Sequence, residues 1–219
     1  HSTPIGEVWT VDAIRQHQNL IEKCEPNLMP LNWTVVESIP VHEDIKLAKP
    51  GCKKFIDHWI LSMENLAHCG IKTICYNFMP VIDWTRTDLQ YKLPSGAYSL
   101  RFDQKKFAAF DICILQRESA EADYSHLEVE EAKQVFEAMS DVERTQLTDN
   151  IIAGLPGRMT DSYGLDDFRS MLTNYRGMTS DTLRNNLIDF LAQVLPRAEE
   201  LGVKLAIHPD DPPRDMLGL

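Results

Sequence analysis

No stretch of this sequence approaches the ~18 consecutive apolar residues that mark a membrane-spanning helix, so a membrane is not expected as a partner. Positive charge is scarce too: 22 Lys and Arg stand against 33 Asp and Glu, for a net charge of −11. A surface of that sign repels phosphate backbones, so no nucleic-acid partner is expected. Cysteine is sparse and unpatterned. The five residues, Cys24, Cys52, Cys69, Cys75 and Cys113, include no CxxC pair. An odd count without that spacing argues against a disulfide scaffold or a zinc knuckle. It fits separate thiols packed as small hydrophobes in a reducing cytoplasm. The amino end, HSTPIGEVWT, has neither the basic nor the apolar segment of a signal peptide. It also lacks an initiator methionine, so His1 is not expected to be the natural start. There is no Walker A motif, no GxGxxG and no GxSxG. HxxxH and HxH are missing as well, so a metal site would need ligands from distant parts of the chain.

What is present is an ordinary globular balance, 43% apolar and 25% charged, in a 219-residue chain. Thr10 is placed to cap a helix from Val11 to about Cys24, with Val11, Ile14, Ile21 and Cys24 near one face. The β-branched run NWTVVESIPV predicts a strand from about Trp33 to Ile39. From Cys52 to Cys69, apolar residues recur at helical spacing and Gly70 supplies the stop. IKTICYNFMPV then reads as a second strand. Leu183, Leu187, Phe190, Leu191, Val194, Leu195 and Ala198 mark another long amphipathic helix, ended by Gly202. VKLAIH follows as a third strand.

A unit therefore recurs: helix, short turn, buried strand, then a polar residue with proline close behind. Apolar strands alternating with helices imply parallel βαβ units with right-handed crossovers. The polar residues then gather at the carboxyl ends of the strands, where (β/α) barrels and open α/β sheets hold their sites. One stretch breaks the rhythm, from Trp84 to about Tyr163. SHLE (Ser125–Glu128) and SDVE (Ser140–Glu143) are capping boxes within it, and DQKKFAAFDICILQR is a further helix candidate. This region reads as a helical insertion, a lid or an oligomer contact, before AGLPGRMTDSYG loops back. The expected organisation is one domain: barrel units over 1–83, the insertion over 84–163, and the return to the barrel over 164–219. A (β/α)8 barrel needs eight strands and typically ~250 residues. The sequence shows three, so it reads as an incomplete barrel cut from a longer one.

Several side chains sit where such a fold would place chemistry. His208 ends the third strand and is a candidate metal ligand, against a rim histidine held by hydrogen bonds. Asp210 and Asp211 beside it read as ligands, outer-shell partners or helix N-caps, the last being usual. Glu37 and Asn77 end the other two strands and suit the hydroxyls of a polyol, or else satisfy loop backbone. Arg86 and Arg101 lie near the loop after the second strand; each is a possible carboxylate clamp or a surface ion pair. His42, with Glu43 and Asp44 beside it, is a loop-end ligand or a solvated turn.

The strings GEVW, VVESIPVHEDIK, CYNFMPVIDWTRTDL, LRFD, NIIAGLPG and HPDDPPRDMLGL resemble the mannonate dehydratase family of hexuronate catabolism. The resemblance runs from Gly6 to Leu219. It implies a (β/α)8 barrel of the xylose isomerase-like group with a helical insertion after CYNFMP. The implied activity is a hydro-lyase that removes water from D-mannonate to give 2-dehydro-3-deoxy-D-gluconate. The implied cofactor is Mn2+ or Fe2+, and the histidine of the HPDD string, His208, would be a ligand. Further ligands, a cysteine and a second histidine among them, would come from strands beyond HPDDPP, and none of the five cysteines here matches. His1 would belong to the rim of the first strand. Such an enzyme is expected to be a cytoplasmic homo-oligomer acting on a small sugar acid. The C2 proton of mannonate is weakly acidic and its C3 hydroxyl leaves poorly. The chemistry therefore calls for a metal, a base, an acid and polar groups along the sugar. Two other readings stand beside this one: a sugar isomerase or epimerase of the same barrel group, and a truncated, non-catalytic barrel fragment.

Overall fold

The computed structural model describes residues 3–23, 29, 31–82, 84–152 and 164–219. Along the chain run α1 (Val11–Glu22), β1 (Val35–Val36), α2 (Glu43–Lys46), α3 (Lys53–His68), β2 (Thr73–Tyr76), β3 (Asp88–Lys92) and β4 (Tyr98–Arg101). There follow α4 (Gln104–Ala109), a π-helical turn (Phe110–Leu115), a 3-10 turn (Ala120–Asp123), α5 (His126–Ala138), α6 (Asp141–Ile152), α7 (Leu165–Thr173), α8 (Ser180–Leu201) and β5 (Lys204–Ile207). The chain is α/β. It divides into two compact units, one of residues 1–78 and 179–209, the other of residues 79–178 and 210–219.

The first unit is built on a parallel sheet in the order β1-β2-β5. Helices α3 and α8 have the apolar spacing of helices that cover such a sheet, and both contribute to its core. Phe190 of α8 is fully buried, with Trp59 edge-on at 5.4 Å and Phe78 tilted at 6.0 Å. Thr10 caps α1 by accepting from the Ala13 N–H at 3.3 Å. Gly202 ends α8 in the left-handed region, at φ 64°, where a side chain would be strained. The predicted strand over Trp33–Ile39 is shorter than expected. Only Val35 and Val36 are strand, because the backbone bends at Glu37 and regains a sheet bond only at Ile39, whose N–H donates to the Cys75 carbonyl at 3.2 Å. Cys24, expected in α1, lies outside the described residues.

The second unit departs further from expectation. The stretch read as a helical insertion opens with an antiparallel hairpin, β3–β4. Its turn signal is in KLPSGAY, where proline, serine and glycine separate two short runs rich in Tyr and Leu. The helix expected over DQKKFAAFDICILQR is α-helical only to Ala109, then widens to a π-turn. That turn ends at Gln116 in the left-handed region, φ 54°, where Asp111 is fully buried. Phe107, Phe110 and Phe168 are buried here, in a run of ring contacts at 6.4 and 6.1 Å. Both capping boxes form: Ser125 and Glu128 bond reciprocally ahead of α5, and Ser140 and Glu143 ahead of α6. Ser125→Ala is expected to cost about 1 kcal/mol, since it strips a cap from an exposed helix start. A lower denaturant midpoint at unchanged slope would report it, and an unmoved midpoint would show that the cap carries no weight. The AGLPGRMTDSYG loop lies, except for Gly164, outside the described residues.

Candidate functional site

The three parallel strands of the first unit end on the same side, so their exits form one rim. Tyr76 is in register with Ile207, so Asn77 and His208 leave the sheet as neighbours. The His208 N–H donates to the Tyr76 carbonyl at 2.7 Å, which fixes where the imidazole starts. The last paired residue of β1, Val36, faces Ile74, and Glu37 follows it at the bend. Although β2 lies between their strands, His208 and Glu37 meet: Nε2 stands 3.1 Å from Oε1. The Glu37 side chain is 84% exposed and that of His208 41%. Solvent screens a pair this open, so it orients the ring more than it stabilises the fold. Asn77, by contrast, is buried. An imidazole, a carboxylate and an amide from three distant chain segments thus share one strand-end rim.

Other candidates have structural employment. Arg86 grips Asp211 through two bonds, Nη1 to Oδ1 at 2.8 Å and Nη2 to Oδ2 at 2.6 Å. The Thr85 N–H donates to the Asp211 carbonyl at 3.0 Å in the same clasp, all within the second unit. Asp211 is therefore no helix N-cap, and neither is Asp210, because no helix follows them. Arg101 pairs with Asp103 at 2.8 Å and lies over the Tyr91 ring at 4.5 Å. His42 caps the short α2: Nδ1 accepts from the Asp44 N–H at 3.1 Å, and its ring stacks on Phe55 at 3.6 Å. Burial lowers the pKa of His42, against the pull of Asp44 and Glu43. His1 lies outside the described residues. Among the described residues no group of three or more His, Cys, Asp or Glu side chains is placed to hold a metal. None of their helices is long and apolar enough to cross a membrane.

The family model for D-mannonate dehydratase (UxuA) matches residues 1–219. The chain belongs to the mannonate dehydratase family. It is 50% identical over 219 residues to the mannonate dehydratase of Marinomonas sp. (strain MWYL1), covering all of this chain and 54% of that protein. It is equally similar to the mannonate dehydratase of Brucella canis, covering 55% of that protein. Among solved structures, the mannonate dehydratase from Streptococcus suis serotype 2 aligns with TM-score 0.66 and 32% identity, over 100% of this chain and 47% of that one. The chain thus spans about half the length of the mannonate dehydratases it matches.

Two features of this chain escape a linear reading. The clasp between Arg86 and Asp211 joins residues 125 positions apart, and the Glu37–His208 contact joins residues 171 apart. Each residue was recognisable as polar and well placed. The pairing itself depends on the sheet order, which no local motif encodes.

Proposed function

We propose that this chain is part of an enzyme that removes water from D-mannonate to give 2-dehydro-3-deoxy-D-gluconate, with a divalent ion, Mn2+ or Fe2+. What supports the reading most is the rim itself: His208, Glu37 and Asn77 at adjacent parallel strand ends, in a chain of the mannonate dehydratase family. In this reading the parallel sheet is part of a (β/α)8 barrel, with the segment after CYNFMP as an insertion on one domain. The likeness to a solved mannonate dehydratase supports it. The four described cysteines are free, which suits a cytoplasmic setting. The enzyme would be a homo-oligomer acting on a small sugar acid.

The rim fits a metal in part. Imidazole with carboxylate is a donor set that manganese and ferrous iron accept. His208 would be the ligand from this chain, and the Glu37 carboxylate the partner that fixes its ring. If Nε2–H donates to Glu37, the lone pair on Nδ1 is left for coordination. Once bound, the ion would supply a positive charge at the sugar-acid carboxylate or a neighbouring hydroxyl, easing proton loss at C2. Asn77 would hydrogen-bond the polyol from a buried position. Arg86, already engaged by Asp211, would receive a substrate carboxylate only by exchanging that partner. His1 would be a further substrate contact. The deciding experiment is to supply the full-length enzyme, loaded with manganese, with D-mannonate and with free aldoses. Formation of the 2-keto-3-deoxy acid from mannonate alone is expected. Aldose–ketose conversion without dehydration would favour the isomerase reading instead.

A further inference from the structure

The bend that turns Glu37 out of β1 is pinned from behind. Val36 is in register with Ile74, and three residues on, the Ile39 N–H donates to the Cys75 carbonyl at 3.2 Å. Between those points β1 takes up more residues than β2, as in a β-bulge, and the surplus lies at Glu37 and Ser38. A bulge bends its strand and re-aims a side chain. Here that side chain is Glu37, whose carboxylate meets the imidazole of His208 although β2 lies between their strands. The Ile39 carbonyl is held as well, by Trp59 of α3, whose indole Nε1–H donates to it at 3.2 Å. Ile39 and Trp59 are each 3% exposed, so water does not compete for that bond. Ile39 is β-branched and precedes Pro40, and both features keep its backbone extended. Trp59 is steadied in turn by Phe190, edge-on at 5.4 Å.

We propose that Trp59 is a positioning residue for the rim: its indole N–H fixes the Ile39 carbonyl, and through it the bend that presents Glu37 to His208. For its effect on the reaction, this rests on the reading of His208 as a metal ligand. The indole N–H is the part that matters. Its removal leaves a buried carbonyl without that donor, a cost the chain relieves by shifting the bend. A shift of one residue in a strand turns its side chains to the opposite face, which would carry Glu37 away from the imidazole. Trp59 itself stays in the core and touches neither metal nor substrate.

The test uses the full-length enzyme with Mn2+ as the probe. Trp59→Phe removes the N–H and keeps an aromatic ring. Benzothienylalanine in place of Trp59 keeps the whole bicyclic shape with sulfur where the N–H was, and serves where Trp59→Phe folds poorly. Either is expected to weaken Mn2+ binding about 10-fold in competition with a chelator, the lower end of what an outer-shell partner contributes. In a Glu37→Gln background the same change is expected to weaken it no further, because both act through one contact. Phe190→Leu loosens the same core and leaves the indole N–H in place. It is expected to lower the thermal transition and to keep Mn2+ affinity. Crystals of the metal-free Trp59→Phe enzyme are expected to show Glu37 withdrawn from His208 Nε2. Glu37 still meeting His208 in those crystals overturns the proposal. So does, in an enzyme that loses Mn2+ with His208→Ala, either wild-type affinity in the Trp59 variants or an equal loss in the Glu37→Gln background. If His208→Ala binds Mn2+ normally, the metal reading falls and the crystals alone decide the role of Trp59.

Discussion

His208→Ala in the full-length enzyme is expected to lower mannonate turnover by more than about 100-fold, the upper end of what loss of an outer-shell partner costs at a metal site. Metal content should fall with it, while the thermal transition stays close to that of the wild type. The reasoning is geometric. His208 follows the last residue of β5, and its side chain is 41% exposed, so it contributes little to the packed layers beneath. Its side-chain partner among the described residues, Glu37, is still more open. Glu37→Gln should therefore act through the histidine, with a smaller loss of roughly 10- to 100-fold and partial loss of metal. Asn77→Ala should raise KM more than it lowers kcat if its amide holds substrate evenly through the reaction. Wild-type turnover by the His208→Ala enzyme in a metal-replete assay would remove the ligand role. A collapsed thermal transition would instead mark His208 as structural.

The parallel sheet was legible because its signal is local and repeated. Each of IKTICY and VKLAIH is a short apolar run between a helix stop and a polar exit, and the structure pairs Thr73–Tyr76 with Lys204–Ile207 as that pattern requires. The rim followed from the same logic, since His208, Glu37 and Asn77 each stand just past a strand. What resisted reading was the second unit. A hairpin of four- and five-residue strands carries little periodicity, and the neighbouring capping boxes biased the segment toward helix. The π-turn was hidden because FDICIL has ordinary helical spacing. Within it, the buried carboxylate of Asp111 meets Arg117 six residues on.

That carboxylate sets the second large effect. Asp111 is fully buried within the π-turn and accepts three bonds: from Arg117 Nε at 2.9 Å, from Arg117 Nη2 at 2.7 Å, and from the Tyr124 hydroxyl at 3.0 Å. Arg117 is itself mostly enclosed and reaches one further acid, Asp123, at 2.6 Å. Burial alone would lower the pKa of Arg117, but the hydrogen bonds and charges of Asp111 and Asp123 overcome it and raise it. Asp111→Ala leaves an enclosed guanidinium with only an exposed partner, and should destabilise the protein by about 3–5 kcal/mol. Asp111→Asn keeps the shape but turns an N–H2 group toward a donor, and should cost nearly as much. Replacing both Asp111 and Arg117 by apolar residues of similar size should recover part of that loss, because no unpaired charge remains. Tyr124 adds a pH signature. Burial, reinforced by the charge of Asp111, raises its pKa above the ordinary 10.0. The folded state therefore keeps the phenol proton where the unfolded chain gives it up. Stability from this source is complete below pH ~10 and declines as pH rises beyond it. Tyr124→Phe should flatten that alkaline decline while losing one hydrogen bond at neutral pH. Melting curves of the four variants between neutral and alkaline pH would decide the matter. An Asp111→Ala protein as stable as wild type would mean that Arg117 finds water or Asp123 sufficient, and that the π-turn does not depend on its buried acid.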